Sequence, residues 1–233
     1  MKIRLEGASK EFIRQGRGSN VLVAVAEANL ELEEGKVTAL SGPSGSGKST
    51  LLNMMAGLLP PTKGKVLLDD KDLYSLDDSE LSKIRNKHIG IIPQGQSALQ
   101  ALTVLENVMV PYILYNKAAG KEYEEVKKRA EELLALAGME ELKNVMPSEL
   151  SGGELRRMAV CRSMVLKPEL IMADEPTGDL DEENTEIVMK LLKGNAENGS
   201  TVLVVTHDSQ VYEYADKVLE MRKGIISDTA EKS

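Results

Sequence analysis

The segment Gly42-Pro43-Ser44-Gly45-Ser46-Gly47-Lys48-Ser49-Thr50 holds the residues whose types and spacing most directly suggest chemistry. Glycines at that density let backbone N–H groups converge on an anion without Cβ clashes. The spacing predicts a loop wrapped around a polyphosphate, with Lys48 reaching the β- and γ-phosphates and the Ser49 hydroxyl ligating Mg²⁺. A glycine-rich turn with an incidental lysine would look similar in isolation, so the setting decides. The apolar run from Val37 to Ser41 reads as a strand entering the loop, and Leu51, Leu52 and Met55 continue beyond it at helical spacing. A helix starting there adds the partial positive charge of its N-terminus.

Two carboxylates supply the complementary chemistry. Asp174 and Glu175 end the apolar run that begins at Leu170, which puts them at the C-terminal end of a buried strand, the edge where open α/β sheets bind ligands. Asp174 fits a water-mediated Mg²⁺ ligand, because Mg²⁺ keeps much of its hydration shell. Glu175 is then free to orient an attacking water and accept its proton. Alone, such an acidic pair could simply close a strand before the turn Pro176-Thr177-Gly178. His207 follows the apolar run Thr201 to Thr206 and should emerge at the same edge, either donating to the γ-phosphate or serving as a surface or capping residue. His88 carries only the second of these readings.

These groups need a scaffold that brings distant segments to one edge. Lys36 to Leu40, Val66 to Leu68, Ile89 to Ile92, Leu170 to Ala173 and Thr201 to Thr206 read as buried strands alternating with helical patterns, which predicts an α/β fold. Between Gln96 and about Lys167 the strand signal gives way to helices. Tyr123, Val126, Ala130, Leu133, Leu134 and Ala137 form a core-facing stripe with Gly138 as its stop. A further helix is expected from Asp181 to Gly194. The expected organisation is one domain over residues 1–233: a β-containing core lobe from 1–95 and 168–226, a helical lobe over about 96–167, and a polar tail at 227–233.

Composition narrows the partners. The 233 residues carry a net charge of −8, so no general basic field attracts a phosphodiester backbone and nucleic acid is not expected as a partner. Cys161 is the only cysteine, which excludes an intrachain disulfide and fits a reducing compartment. No apolar stretch approaches the ~18 to 20 residues that span a bilayer. The opening MKIRLEGASK lacks the apolar centre of a secretory signal, so a cytoplasmic location is expected.

Between the two phosphate motifs lies Leu150-Ser151-Gly152-Gly153-Glu154. Locally, Ser151 and Glu154 have the spacing of a capping box opening a helix. The pentapeptide also resembles the signature of the ATP-binding cassette family. Other positions match that family in order. Gln94 resembles its Q-loop, Gly178-Asp179-Leu180-Asp181 its D-loop and His207 its switch histidine, and Phe12 stands where the family stacks an aromatic on adenine.

The resemblance covers about Lys2 to Ile226 and implies a P-loop cassette fold with a parallel central sheet, an antiparallel N-terminal β region and an inserted helical subdomain. It implies ATP and Mg²⁺ as cofactors, with Gln94 and Asp174 on the metal and Glu175 as base. It further implies a homodimer formed on ATP binding, in which Ser151 and Gly153 face the partner's γ-phosphate, and a separate transmembrane permease, which would place the chain at the cytoplasmic face of the membrane. Leu102 to Val108, Pro176 to Asp181 and the compact length are similar to the branch serving macrolide and peptide exporters, lipoprotein release and the cell-division complex. The chain departs from that branch at Ile91-Ile92-Pro93, where an aromatic-containing segment is usual, at Leu155 for a common glutamine and at Gln100 for a frequent proline. The segment Ser97 to Tyr115, rich in Leu, Val, Met and Tyr, is a candidate docking surface for the permease or, alternatively, core of the helical lobe. Two rival functions are a soluble ATPase acting on DNA or ribosomes, which would call for a coiled-coil insertion or tandem cassettes, and a nucleotide-gated signalling module that moves no solute.

Overall fold

The computed structural model describes residues 1–13, 21–95, 97–116 and 120–228. In chain order its elements are β1 (Ile3–Ile13), β2 (Val21–Glu31), β3 (Val37–Ser41), α1 (Lys48–Met55), β4 (Lys63–Leu68), β5 (Lys71–Asp72), α2 (Asp78–His88) and β6 (Ile89–Ile92). There follow α3 (Val104–Ile113), α4 (Lys121–Leu136), α5 (Gly152–Met164), β7 (Leu170–Asp174), α6 (Glu182–Glu197), β8 (Thr201–Val205), β9 (Lys217–Arg222) and β10 (Ile225–Asp228).

Two sheets result. The larger has the order β10-β9-β3-β8-β7-β6. All its pairings are parallel except β10 with β9. The smaller sheet, β2-β1-β4-β5, is antiparallel. The parallel strands are apolar at nearly every position because both of their faces are covered, and successive residues enter different layers. Val202 and Val204 of β8 face the core shared with α3, α4, α5 and α6, whereas Leu203 and Val205 face the core shared with α1 and the antiparallel sheet.

Helix ends follow local chemistry. Helix α4 closes through Gly138, whose φ is +65°. Gly138 donates to the Ala135 carbonyl and Met139 to that of Leu134, and Met139 is fully buried. This paired arrangement is a Schellman stop. Helix α6 is capped by Asp181, which accepts from the Asn184 amide at 2.8 Å. It runs past the expected stop at Gly194 to Glu197, because Ala196 continues the buried stripe and the left-handed residue is Gly199.

At the C-terminal end, Ser227 and Asp228 pair with Glu220 and Leu219, so strand structure reaches two residues into the expected tail. Residues 229–233 lie outside the described part. Among the described residues no helix is long and apolar enough to cross a membrane.

The run before α3 is organised by one buried amide. Asn107, with no exposure, accepts from the Leu99 N–H at 2.8 Å and donates to the carbonyls of Leu99, Leu102 and Thr103 at 2.9 to 3.0 Å. Removing it strands several backbone groups away from water, and each orphan costs ~1 to 3 kcal/mol. Asn107→Ala should therefore lower the stability of the folded chain by roughly 2 to 4 kcal/mol in a urea titration.

Candidate nucleotide-binding site

Strand β3 delivers the chain into the loop Gly42 to Gly47, and α1 begins at Lys48. Two of its glycines are obligatory for geometric reasons. A Cβ on Gly42 would lie 2.2 Å from the Met221 carbonyl oxygen, and one on Gly47 would lie 2.0 Å from that of Ala24. The loop is thus held between β9 and β2 with no room for a side chain. Pro43, Ser44 and Gly45 form its exposed crest, while the Ser46 hydroxyl is buried without a hydrogen-bond partner. Lys48 is buried beneath the crest and donates from Nζ to the carbonyls of Gly42 at 2.7 Å and Pro43 at 3.1 Å.

The parallel register brings the carboxylates alongside. Asp174 pairs with Val205 across β7 and β8, and Leu40 pairs with the same Val205 across β3 and β8. Asp174 is nearly buried, and its Oδ1 has no partner. Burial holds its carboxyl above the usual range, opposed by a hydrogen bond from Ser49, while adjacent Glu175 pushes it up further and Lys48 and Arg156 pull it down. An oxygen left orphaned in that field, beside a serine hydroxyl and a lysine, fits a bound cation. Among the described residues no three His, Cys, Asp or Glu side chains converge as a metal cage. Asp174 Oδ1 and the Ser49 hydroxyl make the sparse oxygen set that fits Mg²⁺, which relies on one or two protein ligands, phosphates and water.

Glu175 has φ of +48°, a left-handed conformation for a non-glycine residue, fixed by its N–H donating to the Val205 carbonyl at 2.8 Å. Its Oε1 lies 2.9 Å from Nδ1 of His207, and its Oε2 is buried and unpartnered. The hydrogen bond and negative charge of Glu175 raise the pKa of the His207 imidazole above its ordinary value, although its side chain is 71% exposed. His207 thus meets Glu175 at the sheet edge. His88 pairs with Glu169 elsewhere, at 2.9 Å.

The signature turn opens α5. Ser151 Oγ accepts from the Glu154 amide at 3.3 Å, and Glu154 Oε2 accepts from the Ser151 N–H at 2.7 Å and its hydroxyl at 2.8 Å. These bonds hold the Glu154 carboxyl below the usual range. Ser151 and Gly152 are exposed, and the hydrogen bonds of Ser151 close within its own helix, so the turn faces outward. Leu150 packs beneath it on the core. A Cβ on Gly153 would come within 3.3 to 3.4 Å of the Asn184 amide, which ties the turn to the start of α6.

Other expected site residues are more peripheral. Phe12 is partly exposed on β1, opposite Leu22 and two residues along from Ala24, the neighbour of Gly47. The Lys10 ammonium sits over its ring at 5.4 Å. Gln94 is exposed in the loop after β6. Asp179 has φ of +62°, and Leu180 donates to the Thr177 carbonyl at 3.1 Å before α6 starts at Asp181. Sequence reasoning passed over Arg156 and Arg162. Arg156 Nη1 donates to the carbonyls of Pro93 at 2.9 Å and Gly95 at 3.3 Å, and Arg162 donates to the Ser97 carbonyl at 2.8 Å and to its hydroxyl.

Comparison with known proteins agrees with this geometry. The family profile described as ABC transporter matches residues 25–178. An uncharacterized ABC transporter ATP-binding protein of Methanocaldococcus jannaschii, MJ0796, is 41% identical over 95% of this chain and 94% of its own length. A macrolide export ATP-binding/permease protein, MacB, of a Shewanella species is 40% identical over 90% of this chain, which spans only 32% of that longer protein. Among solved structures, a dimeric post-hydrolysis state of the MJ0796 cassette bound to ADP and Pi superimposes with a TM-score of 0.87 at 37% identity, covering 99% of this chain and all of that one. On its motifs, its fold and these likenesses, the chain is an ATP-hydrolysing ATP-binding cassette domain and belongs to the ABC transporter family.

Proposed function

We propose that two copies of this chain close head to tail around two MgATP molecules, and that the cycle of closure and hydrolysis drives a separate transmembrane permease from the cytoplasmic face of the membrane. The observation that carries this reading is the outward-facing, capped turn at Ser151 to Gly153. It offers the N-terminus of α5 to an anion that its own protomer does not supply. The solved structures of MJ0796 are dimeric, which supports the pairing of two copies.

Within each site Lys48 leaves its carbonyl partners for the β- and γ-phosphates, and the amides of Ser44 to Gly47 cradle the chain of phosphates. Ser49, Asp174 and Gln94 would hold Mg²⁺, which neutralises charge on the β- and γ-phosphate oxygens. Glu175 Oε2, buried and unpartnered, is the oxygen placed to take a proton from water, while Oε1 holds the imidazole. His207 donates through its other nitrogen to the γ-phosphate. Phe12 stacks on adenine, and Asp179 to Asp181 line the contact between protomers.

The candidate docking segment divides in two. Val104, Val108, Met109 and Tyr112 are core, whereas Leu99, Ile113, Leu114 and Tyr115 are exposed. Leu114 and Tyr115 flank a groove of about 280 Å³ that is also lined by Leu58, Arg85, Ile91 and Leu166. A segment of the permease would seat there. MacB is named for macrolide export, which supports export of a drug-like substrate, and extraction or export of a peptide or lipoprotein belongs to the same proposal.

Three outcomes are expected. Glu175→Gln should bind ATP, lose ~10² to 10⁴ in turnover and accumulate as an ATP-bound dimer in sedimentation; undiminished hydrolysis would exclude Glu175 as the base. In the same variant the NMR titration midpoint of His207 should fall toward the ordinary imidazole value, because the carboxylate that favours the protonated ring is gone. Leu114→Glu should leave basal hydrolysis intact and abolish its stimulation by the permease in membranes; retained stimulation would move the docking surface elsewhere.

A further inference from the structure

Arg156 stands where four functional segments meet. It is the fifth residue of α5, the helix that Ser151 opens. Its Nη1 bridges the carbonyls of Pro93 and Gly95, on either side of Gln94. It also lines a small cavity of about 110 Å³ together with Gly95, Gly152, Asp179 and Leu180. Burial lowers the pKa of its guanidinium, while the fields of Asp179, Asp174 and Glu175 oppose that shift. A half-buried cation needs hydrogen bonds and counter-charge to persist. Here the carbonyls come from the Gln94 loop and the counter-charge from Asp179, Asp174 and Glu175.

We infer that Arg156 is a positioning residue linking the Gln94 loop of a protomer's own nucleotide site to the signature helix that the protomer presents to its partner. The inference rests on the proposed two-site dimer for its functional consequence. Arg162 adds a second tether on the same helix through Ser97, so the loop is clasped to α5 at two points nearly two turns apart. Pro93 has no N–H, so its carbonyl is the one backbone hydrogen-bonding group it brings to the loop. That carbonyl is given to the arginine. Any displacement of Gln94 toward a bound metal therefore pulls on α5 and re-aims Ser151 to Gly153. One cation in this way makes the state of one site felt at the other.

Reach and charge predict how substitutions rank. Arg156→Lys keeps the charge facing the carboxylates but loses the oriented guanidinium nitrogen that bridges the two carbonyls, whereas Arg156→Gln loses the charge and the reach. Hydrogen exchange on the nucleotide-free full chain is the direct readout. Arg156→Gln should speed exchange at Gln94, Gly95 and Ser97 by about tenfold, with Arg156→Lys in between and the inner turns of α5 unchanged. In steady-state assays Arg156→Gln should raise the Mg²⁺ concentration for half-maximal turnover several-fold and flatten the dependence of rate on ATP toward non-cooperative. ATP binding in EDTA should stay the same, because the Gly42 to Thr50 loop does not touch this residue. Unchanged exchange in the Gln94 loop, or equal acceleration throughout α5, would overturn the inference. If the native chain failed to turn over ATP as a cooperative dimer, the proposed function would fall, and the exchange experiment would still decide whether the clasp exists.

Discussion

Parallel pairing of β3, β8 and β7 is the constraint on which the site depends. Val205 is the shared partner of Leu40 and Asp174, the Thr206 amide donates to the Leu40 carbonyl at 3.1 Å, and the Glu175 amide donates to the Val205 carbonyl. These ladder bonds set Lys48, Asp174, Glu175 and His207 on one edge, although they are more than 150 positions apart at the extremes of the sequence. Slipping one strand by a single residue would turn Asp174 into the core and exchange the two hydrophobic layers. The layers therefore protect the register, and the register protects the chemistry.

The electrostatic design follows from the burial of the carboxylates at that edge. Asp174 is raised by burial, and one of its oxygens and one of Glu175 remain without partners. Left alone, such groups weaken the fold. In the proposed function a nucleotide with its metal would relieve them, so that binding would draw on groups the fold leaves unpartnered. Lys48 meanwhile is satisfied by the carbonyls of Gly42 and Pro43, which keep a buried cation in place.

Much of this was legible because local signals and tertiary structure agree. The runs of β6, β7 and β8 are apolar at nearly every position, being covered on both faces, and the Ser151 and Glu154 spacing forms its cap from residues three apart. The long hairpin of β1 and β2 was harder to read from its residues. Its exposed positions break the apolar run, and its register shifts at three places between Leu5 and Glu11. Arg156 had no readable signature at all, since its acceptors are backbone carbonyls 61 to 63 residues away and any residue type offers a carbonyl. The extent of α6 was missed because Gly194 looks like a stop, yet in mid-helix it costs only about 1 kcal/mol, which the buried Ala196 beyond it outweighs.

Glu175 and Asp179 both hold left-handed backbone conformations that glycine or asparagine would occupy with less strain. Residues kept in such states cost on the order of 1 to 3 kcal/mol each and persist where function requires them. Laboratory evolution of this chain for heat resistance alone would thus reward loss of the two side chains and drift toward silent cassettes. Only a screen that also demands turnover would keep the strained carboxylates, and its survivors would have to gain their thermal tolerance from surfaces remote from the sheet edge.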